Sequence, residues 1–288
     1  MSPNPLCFVV MPFGQKPDPG GRSDIDFDKI YNNAIKKGIL DVGMEPIRAD
    51  EERTGGIIHK PMFERLLLCD YVLADLTTAN PNVFYELGVR HTARPATTLT
   101  IFAKNHQIPF DVNFLRSMPY DLGDDNRFDD AQASALRQSI AKKLASLRDM
   151  AKKGTGIDSP LFQLLSDWTP ADIAHIKTDV FRDQVQLNEK LKKQLAEIRA
   201  KSKIKGKQQE AIRALRELED LLDEPDTVDV GTHIDIFLSF RACEDWDGMI
   251  SFYEKMPDVL KRQILVREQL GFAYNRRAGK TKNPLDRA

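Results

Sequence analysis

The chain has 288 residues and a mass of 32.7 kDa, which is more than one hydrophobic core usually organises, so we expect two domains or a domain with a helical extension. Hydrophobic residues make up 41 % and charged residues 30 %, a balance that excludes disordered, collagen-like and disulfide-scaffold proteins. The 42 basic and 43 acidic residues leave a net charge of −1, so no basic field for nucleic acid extends over the whole molecule.

The cysteines and the amino terminus predict a cytoplasmic protein. Cys7, Cys69 and Cys243 are far apart and follow no C-x-x-C spacing, so we expect reduced, buried thiols. The segment MSPNPLCFVVMPFG has no basic start, and its apolar run is too short for a signal peptide or a membrane span. The histidines show no metal-ligand spacing, and we therefore predict no metal site.

The first third of the chain alternates short apolar runs with amphipathic segments, a pattern typical of a parallel sheet covered by helices. A helix capped by Asp24 or Asp26 is predicted to run to about Leu40, and Asn80 with Pro81 opens another. Strands are predicted at Leu6–Met11, Met44–Ala49, Tyr71–Ala74 and Leu99–Ala103, further helices at residues 55–67, 82–92 and 131–150, and an irregular covering segment at Phe110–Tyr120.

The second half of the chain predicts helices after a linker. The run KKGTGIDSP contains the Gly, Ser and Pro of a connecting segment. A long helix should start at Thr169 and be broken or bent at Gly206, and similar segments around Arg241 and Arg276 stand 35 residues apart, the period of stacked helical repeats. We therefore expect a flavodoxin-like α/β domain at residues 1–150, a linker at 151–168, and an all-α, tetratricopeptide-like module at 169–288.

A basic stretch at Lys190–Lys207 contains eight basic residues and one acid. It can be a solvated helix face or a contact for nucleic acid or nucleotide phosphates. No aromatic residues are interleaved with the charges for base stacking, so we expect the solvated face and no nucleic-acid partner.

The segment DYVLADLTTANPNVFYELGVRH predicts a ligand site. A buried strand delivers Asp75 to its carboxyl end, where ligands bind in open α/β sheets, and the next helix carries Glu86 in its second turn. A carboxylate beside apolar groups can attack an anomeric carbon or stabilise an oxocarbenium-like cation, as cleavage of a glycosyl bond requires. The alternative is an exposed helical glutamate that only complements the helix dipole.

The string ADLT-x-x-NPNVFYELG-x-x-H, together with FVVMPFG, resembles the nucleoside 2-deoxyribosyltransferase-like group and its TIR-like relatives over residues 6–105. The resemblance implies a flavodoxin-like fold that cleaves N-glycosidic bonds. It implies that Glu86 is the catalytic carboxylate and that Asp75 lies in the pocket. The residues that would line the same pocket are Met11, Pro12, Phe13 and Gly14.

Five further residues are candidates for substrate contacts, each with a simpler alternative. Arg22 could reach phosphates or be a solvated loop arginine, and Tyr31 could stack on a base or pack in the core. Asp50 could hold ribose hydroxyls or belong to an acidic loop surface. Asn80 and Asn82 could orient ribose or nicotinamide, or serve in helix capping.

The helix VFYELGVR and the later segment FYEKMP also resemble the thioredoxin-binding and TRAF-binding regulatory region of apoptosis signal-regulating kinases, and prokaryotic proteins with that TRAF-binding-type domain. Those kinase regions are scaffolds that lack a glutamate at the place of Glu86, so its presence favours catalysis. Prokaryotic TIR-like domains joined to helical repeats often act as NAD-consuming antiphage effectors, and the resemblance implies this role.

We therefore expect a hydrolase that cleaves an N-ribosyl bond of NAD⁺ or a related nucleotide, with NAD⁺ as substrate and no cofactor. Glu86 would be nucleophile or cation stabiliser, with Asp75 and Asn82 orienting the ribose. The helical module is expected to form a homo-oligomer or to bind a partner protein, away from membranes. The alternatives are a non-enzymatic nucleotide- or protein-binding signalling scaffold and a nucleoside deoxyribosyltransferase.

Overall fold

A computed structural model describes residues 4–48, 59–107, 109, 117–165, 167–170, 178–220 and 230–281. The chain forms two compact units, one within residues 1–50 and 62–176 and the other within 51–61 and 177–288. The first unit is an α/β domain with a parallel sheet and the second is helical, which confirms the predicted fold class.

The sheet of the first unit has five parallel strands. In chain order the strands are β1 (Leu6–Val10), β2 (Gln15–Lys16), β3 (Ile25–Asp26), β4 (Glu45–Arg48), β5 (Tyr71–Asp75), β6 (Thr98–Ala103) and β7 (Met118–Tyr120), of which β2 and β3 form a separate antiparallel ribbon. The order across the sheet is β4-β1-β5-β6-β7, which is the flavodoxin-like order of a doubly wound sheet. Every residue of β1 and β5 is buried, as expected of strands covered on both faces.

Three helices of the first unit begin at a side-chain cap. The helices of this unit are α1 (Phe27–Ile30), continued by a π-helical segment (Tyr31–Ile35) and α2 (Lys36–Leu40), then α3 (His59–Leu68), α4 (Pro81–Ala93), α5 (Asp130–Lys152) and α6 (Pro160–Leu164). Asp26 rather than Asp24 caps α1, because its side chain accepts a hydrogen bond from the Lys29 N–H. Asn80 and Asp129 cap α4 and α5 in the same way.

The strand β7 differs from the sequence prediction. The sequence predicts an irregular segment at Phe110–Tyr120, but Met118–Tyr120 pairs in parallel with residues 101–103 of β6. The strand has only three residues and contains Pro119, which is tolerated because β7 lies at the sheet edge. So short a strand gives no alternating pattern in the sequence. Residues 110–116 of the predicted segment lie outside the described residues.

One hydrophobic core lies between the sheet and the helices α1, α2 and α5. Alternate strand residues such as Cys7, Val9 and Leu73 face it, and α5 contributes an apolar stripe that includes Ile140 and Leu144. The helix α4 packs on β1 and β5 through buried side chains of its own. The sheet is therefore covered on both faces, and the loops that connect its strands and helices lie at the two ends of the strands.

Part of the predicted linker packs against the first unit. The Ser159 hydroxyl donates to the His91 carbonyl at 2.7 Å, and the Thr98 N–H donates to Asp158 Oδ2 at 2.9 Å. These bonds satisfy backbone groups at the end of α4 and the start of β6. The Gly, Ser and Pro composition of this segment indicates a linker, although its polar side chains serve as caps.

The second unit is built from six helices in the part of the chain that the structure describes. They are α7 (Thr178–Ser202), α8 (Gln208–Asp220), α9 (Val230–Ala242), α10 (Trp246–Lys255), α11 (Asp258–Lys261) and α12 (Ile264–Thr281). Gly206 lies in the turn between α7 and α8 with a φ of +84°, which a glycine adopts without strain, so the helix is broken in this region as predicted. Thr169 and Pro170, the predicted start of the long helix, are not helical. The second unit has its own hydrophobic core, which includes Phe237, Phe240 and Met249. Over the described residues, no helix is long and apolar enough to cross a membrane.

Replacing Gly38 by alanine tests the close packing of α2 on α5. A Cβ at this position would lie 2.8 Å from the carbonyl oxygen of Arg137 and 3.1 Å from Ile140 Cβ, so the helices would have to separate. We expect Gly38→Ala to lower the free energy of unfolding by about 1–3 kcal/mol in urea denaturation. In Gly88→Ala the Cβ would meet nothing within 4 Å, and this variant should be unchanged or stabilised by up to about 1 kcal/mol. Equal effects of the two changes would contradict the packing.

Candidate functional site

The carboxyl ends of β1 and β5 form the switch point of the sheet, the place where a ligand crevice is expected. The chain passes from β1 to its neighbour β4 on one side and then to β5 on the other, so the winding direction reverses between β1 and β5. Doubly wound sheets bind ligands at such a switch point. The loop that begins at Met11 and the loop from Leu76 to Asn80 border it. The structure therefore brings the two predicted site segments together at one edge.

The loop after β1 is fixed against the start of α1. Met11 and Pro12 are buried, and Phe13 and Gly14 are half-buried. Gly14 has a φ of +62°, its N–H donates to Asp28 Oδ1 at 3.2 Å, and its carbonyl accepts from the Phe27 N–H at 3.1 Å. Only glycine adopts this backbone conformation at little cost, so the loop has a defined shape at the crevice.

Tyr31 lies in the core, and its ring faces Arg48, which the sequence does not identify as a site residue. The Arg48 guanidinium carbon is 4.2 Å from the Tyr31 ring centroid and 5.8 Å from that of Phe13, and Arg48 pairs with Asp28 at 3.0 Å. Tyr31 is only 4 % exposed, which agrees with core packing rather than stacking on a base. The sequence signal for Arg48 is a basic residue at the carboxyl end of a short strand.

Arg22 belongs to a buried polar cluster. Its Nε donates to Asp18 Oδ2 at 2.6 Å, and Asp18 also accepts from Asn126 Nδ2 and from the Gly20 N–H, each at 2.8 Å. The His106 Nε2 lies 3.3 Å from Arg22 Nη2. Burial opposes the charge on Asp18, but the bonds from Gly20, Asn126 and Arg22 outweigh it and lower the pKa of Asp18 to about 2. Arg22 is therefore committed to Asp18, which joins the segment between β2 and β3 to the loops after β6 and β7.

Asp75 is fully buried, and both of its oxygens accept hydrogen bonds. Oδ1 accepts from the Thr77 N–H at 3.0 Å and from the Thr77 hydroxyl at 2.6 Å, while Oδ2 accepts from the Tyr120 hydroxyl at 2.9 Å. Burial raises the pKa of Asp75 to about 6, although these bonds oppose the shift. The Thr77 hydroxyl also accepts from the Ala103 N–H at 2.9 Å. Asp75 therefore joins the ends of β5, β6 and β7 through its hydrogen bonds.

The loop between β5 and α4 holds unusual backbone conformations. Thr78 and Ala79 have φ values of +67° and +50°, which cost free energy in residues other than glycine and cluster at functional sites. Asn80 follows, and its side chain accepts from the Asn82 N–H at 2.9 Å, so capping accounts for Asn80. Asn82 is exposed in the first turn of α4. The strained loop therefore presents the amino terminus of α4 at the crevice.

Glu86 is a half-buried carboxyl group with no hydrogen bond or ion pair to any described residue. It stands beside the buried stripe of α4, one turn after Val83 and one turn before Arg90. Burial raises the pKa of Glu86 to about 7. A carboxyl with this pKa can give or take a proton near neutral pH, and its ionised form can stabilise a cation.

Asp50 lies outside the described residues, so its predicted ribose contact stays a prediction. Among the residues that the structure describes, no group of three or more His, Cys, Asp or Glu side chains could hold a metal ion.

The second unit has an open groove between α9, α10 and α12, which we call the arginine groove. It is lined by Arg241, Ala242, Glu244, Trp246, Phe272, Asn275, Arg276 and Gly279. The guanidinium carbons of Arg241 and Arg276 lie 4.5 and 5.0 Å from the Phe272 ring centroid, and Trp246 packs edge-on against the same ring. Arg241 donates to Gln269, but neither arginine pairs with a carboxylate of the described chain. Two positive charges are therefore held beside an aromatic surface.

The comparisons with known proteins give one match. The family model described as MAP3K TRAFs-binding domain matches residues 83–287, which is more than two thirds of the chain. The matched part starts in α4, so it includes Glu86 as well as all the described helices of the second unit. No curated protein and no solved structure matches the chain.

The buried state of Glu86 predicts a pH-dependent stability difference. Its pKa is raised from 4.5 to about 7, so the folded protein binds the proton more tightly than the unfolded chain, and this carboxyl destabilises the fold increasingly between those pH values. Glu86→Gln should therefore be more stable than the wild type by on the order of 2 kcal/mol above pH 7, and nearly equal in stability at pH 4. Urea denaturation from pH 4 to 8 measures the difference. The exposed Glu217 serves as control, because Glu217→Gln should change stability by less than about 0.5 kcal/mol throughout. A stability difference between Glu86→Gln and the wild type that does not change with pH would contradict the burial of Glu86.

Proposed function

The chain belongs to the MAP3K TRAFs-binding domain family, and from that premise we propose that it is a two-part signalling protein. The helical unit binds a partner protein, as the family name describes. The α/β unit hydrolyses the N-ribosyl bond of NAD⁺ or a related nucleotide. The single observation that carries the enzymatic part is the half-buried carboxyl of Glu86, which has no described partner and a pKa of about 7.

Hydrolysis of an N-ribosyl bond requires a site that stabilises positive charge on the ribose. As the bond to the base breaks, positive charge develops on the ribose, and an ionised Glu86 would stabilise that cation or attack the anomeric carbon. Water then supplies the hydroxyl of the sugar product, and its proton leaves to solvent or to the carboxylate. The partly apolar surroundings of Glu86 strengthen the attraction, because they lower the local dielectric constant.

The other residues of the crevice would shape the pocket. The loop Met11–Gly14 has a fixed conformation and would border the base, and Asn82 at the start of α4 is exposed and could contact the ribose. Asp75 acts through Thr77 and Tyr120, because both of its oxygens already accept hydrogen bonds. The resemblance to TIR-like proteins supports NAD⁺ as substrate and a role in prokaryotic antiphage defence, and it would equally allow deoxyribosyl transfer to a base.

The arginine groove supports the partner-binding part. Arginine and tryptophan are enriched at the energetic centres of protein interfaces, and guanidinium groups fixed on an aromatic ring lose little freedom when they bind a carboxylate. The pairing of Arg241 and Arg276 over Phe272 therefore suits an acidic segment that also carries an apolar side chain. Because the family is named for TRAF binding, a TRAF-type protein is the partner that we propose.

Replacing Glu86 by glutamine tests the enzymatic part. The amide has nearly the same shape but no charge, so we expect loss of nicotinamide release by at least about 100-fold with the fold unchanged. Chromatography of NAD⁺ incubated with the full chain over a range of protein concentrations, with and without the TRAF protein, measures the rate. Exposed Glu217→Gln is the control and should keep wild-type activity. Intact NAD⁺ in every wild-type reaction would favour the non-enzymatic scaffold, and base exchange with added adenine would favour the transferase.

Replacing both groove arginines tests the partner-binding part. We expect Arg241→Gln combined with Arg276→Gln to weaken binding of a purified TRAF-domain protein by about tenfold or more, because two charge-assisted contacts are removed. Arg262→Gln combined with Arg267→Gln is the matched control, since these exposed arginines do not line the groove. Biolayer interferometry with the full chain measures both affinities. A wild-type chain that does not bind would contradict a TRAF-type partner, and equal losses in both double variants would contradict the groove.

A further inference from the structure

The turn between α7 and α8, residues 203–207, carries three lysines, and we call it the lysine turn. Lys203, Lys205 and Lys207 are all exposed, as are the residues between them. The Ile204 N–H donates to the Lys201 carbonyl at 3.1 Å, and the Lys207 N–H donates to the Ile204 carbonyl at 3.0 Å. These bonds satisfy backbone groups within the turn, so the three lysines stand on a backbone of defined conformation.

The lysine turn adjoins the arginine groove at one end of the helical unit. The hydroxyl oxygen of Ser202, one residue before the turn, lies 3.3 Å from the Ala242 carbonyl oxygen. Gln208, one residue after the turn, donates through Nε2 to the Cys243 carbonyl at 3.0 Å. Ala242 itself lines the groove. The turn between α7 and α8 and the turn between α9 and α10 are therefore in contact, and they bring the two sets of basic side chains onto one surface.

The positive charge of this surface is only partly neutralised by the acids beside it. Glu210 pairs with Lys201 and its charge also acts on Lys207, and the exposed Glu244 lies in the groove. The other two lysines of the turn and both groove arginines form no ion pair with a carboxylate of the described residues. Like charges held together on one face attract an anionic partner from solution. The surface therefore has an excess of positive charge available to a partner.

An acidic protein segment fits this surface better than a nucleic acid or a membrane does. Bases need an aromatic face to stack on, but the Phe272 ring is already contacted by both groove arginines and by Trp246. Ile204 is 51 % exposed between the lysines, and a single apolar side chain buries too little area to hold a lipid surface. Carboxylates with an occasional apolar side chain can pair with the basic groups and also cover Ile204.

We propose that the lysine turn and the arginine groove together bind one extended acidic segment of a partner protein. The inference rests on the proposed partner-binding role of the helical unit and extends its surface beyond the groove. The groove arginines give the segment a fixed place, because they are held on the Phe272 ring. The exposed lysines add charge attraction, which raises the association rate and depends on salt.

Fluorescence anisotropy with the full chain and a labelled acidic peptide tests the proposal. The peptide has about twelve residues, alternates glutamate with serine around one central leucine, and spans ~40 Å when extended. Lys203→Glu combined with Lys205→Glu should weaken its binding about tenfold or more, because two attractions become repulsions. Lys190→Glu combined with Lys193→Glu is the matched control. These lysines are exposed on the same helix, at least about 15 Å before the turn, and the equal change in net charge should cost less than about threefold.

The salt dependence and two other probes complete the test. Raising the ionic strength from about 50 to about 200 mM should weaken peptide binding more in the wild type than in the variant of the lysine turn. No binding of the peptide up to about 1 mM, or equal losses in the two lysine variants, would overturn the proposal. So would tighter binding of a single-stranded oligothymidine of equal charge, or of vesicles that contain phosphatidylserine. If the peptide binds as expected and a TRAF-domain protein does not, the acidic segment stands and the TRAF-type partner is wrong.

Discussion

A buried arginine fixes the α/β unit at the point where its helices meet the sheet. A buried charge is costly unless its donors are paired, and burial lowers the pKa of Arg90 only to about 10, so the group stays charged at neutral pH. The planar guanidinium can satisfy its donors only when the end of α3, the start of β5 and the start of β6 are all in place. The fully buried Arg90 donates to the carbonyls of Leu66, Cys69 and Asp70 at 2.7, 3.0 and 3.3 Å and to the Thr97 hydroxyl at 2.9 Å.

The same arginine fixes the position of α4. Glu86 stands one helical turn before Arg90, and His91 follows it directly, so fixing the arginine fixes the rotation of α4 about its axis. The positive charge also lowers the pKa of His91 and stabilises the ionised form of Asp158. The orientation of the candidate catalytic carboxyl on α4 therefore depends on the hydrogen bonds of the buried arginine.

The sequence predicts those elements whose formation depends on residues close together in the chain. Apolar runs and capping residues predicted β1, β5 and α4, which bring Asp75 and Glu86 to the carboxyl edge. Contacts between distant residues had no such signal: Asp18 meets Asn126 across 108 positions, and Asp75 meets Tyr120 across 45. The segment around Asp158 was assigned to a linker because its composition shows no periodicity, although its side chains bond to β6 and α4. Long-range polar pairs are selected by the folded backbone, so a pattern within one segment cannot reveal them.

The contrast between the two acids of the crevice separates structural from chemical roles. Both are removed from water, but Asp75 recovers part of the cost through three hydrogen bonds, whereas Glu86 has no bond to the described chain to offset its burial. A glutamine would avoid most of that cost, so the carboxyl opposes stability at neutral pH. Such a conflict between a local preference and the fold is expected at functional sites, where a charge must be available to a ligand. This uncompensated burial, more than position on the helix, is the physical reason to propose that Glu86 takes part in the chemistry.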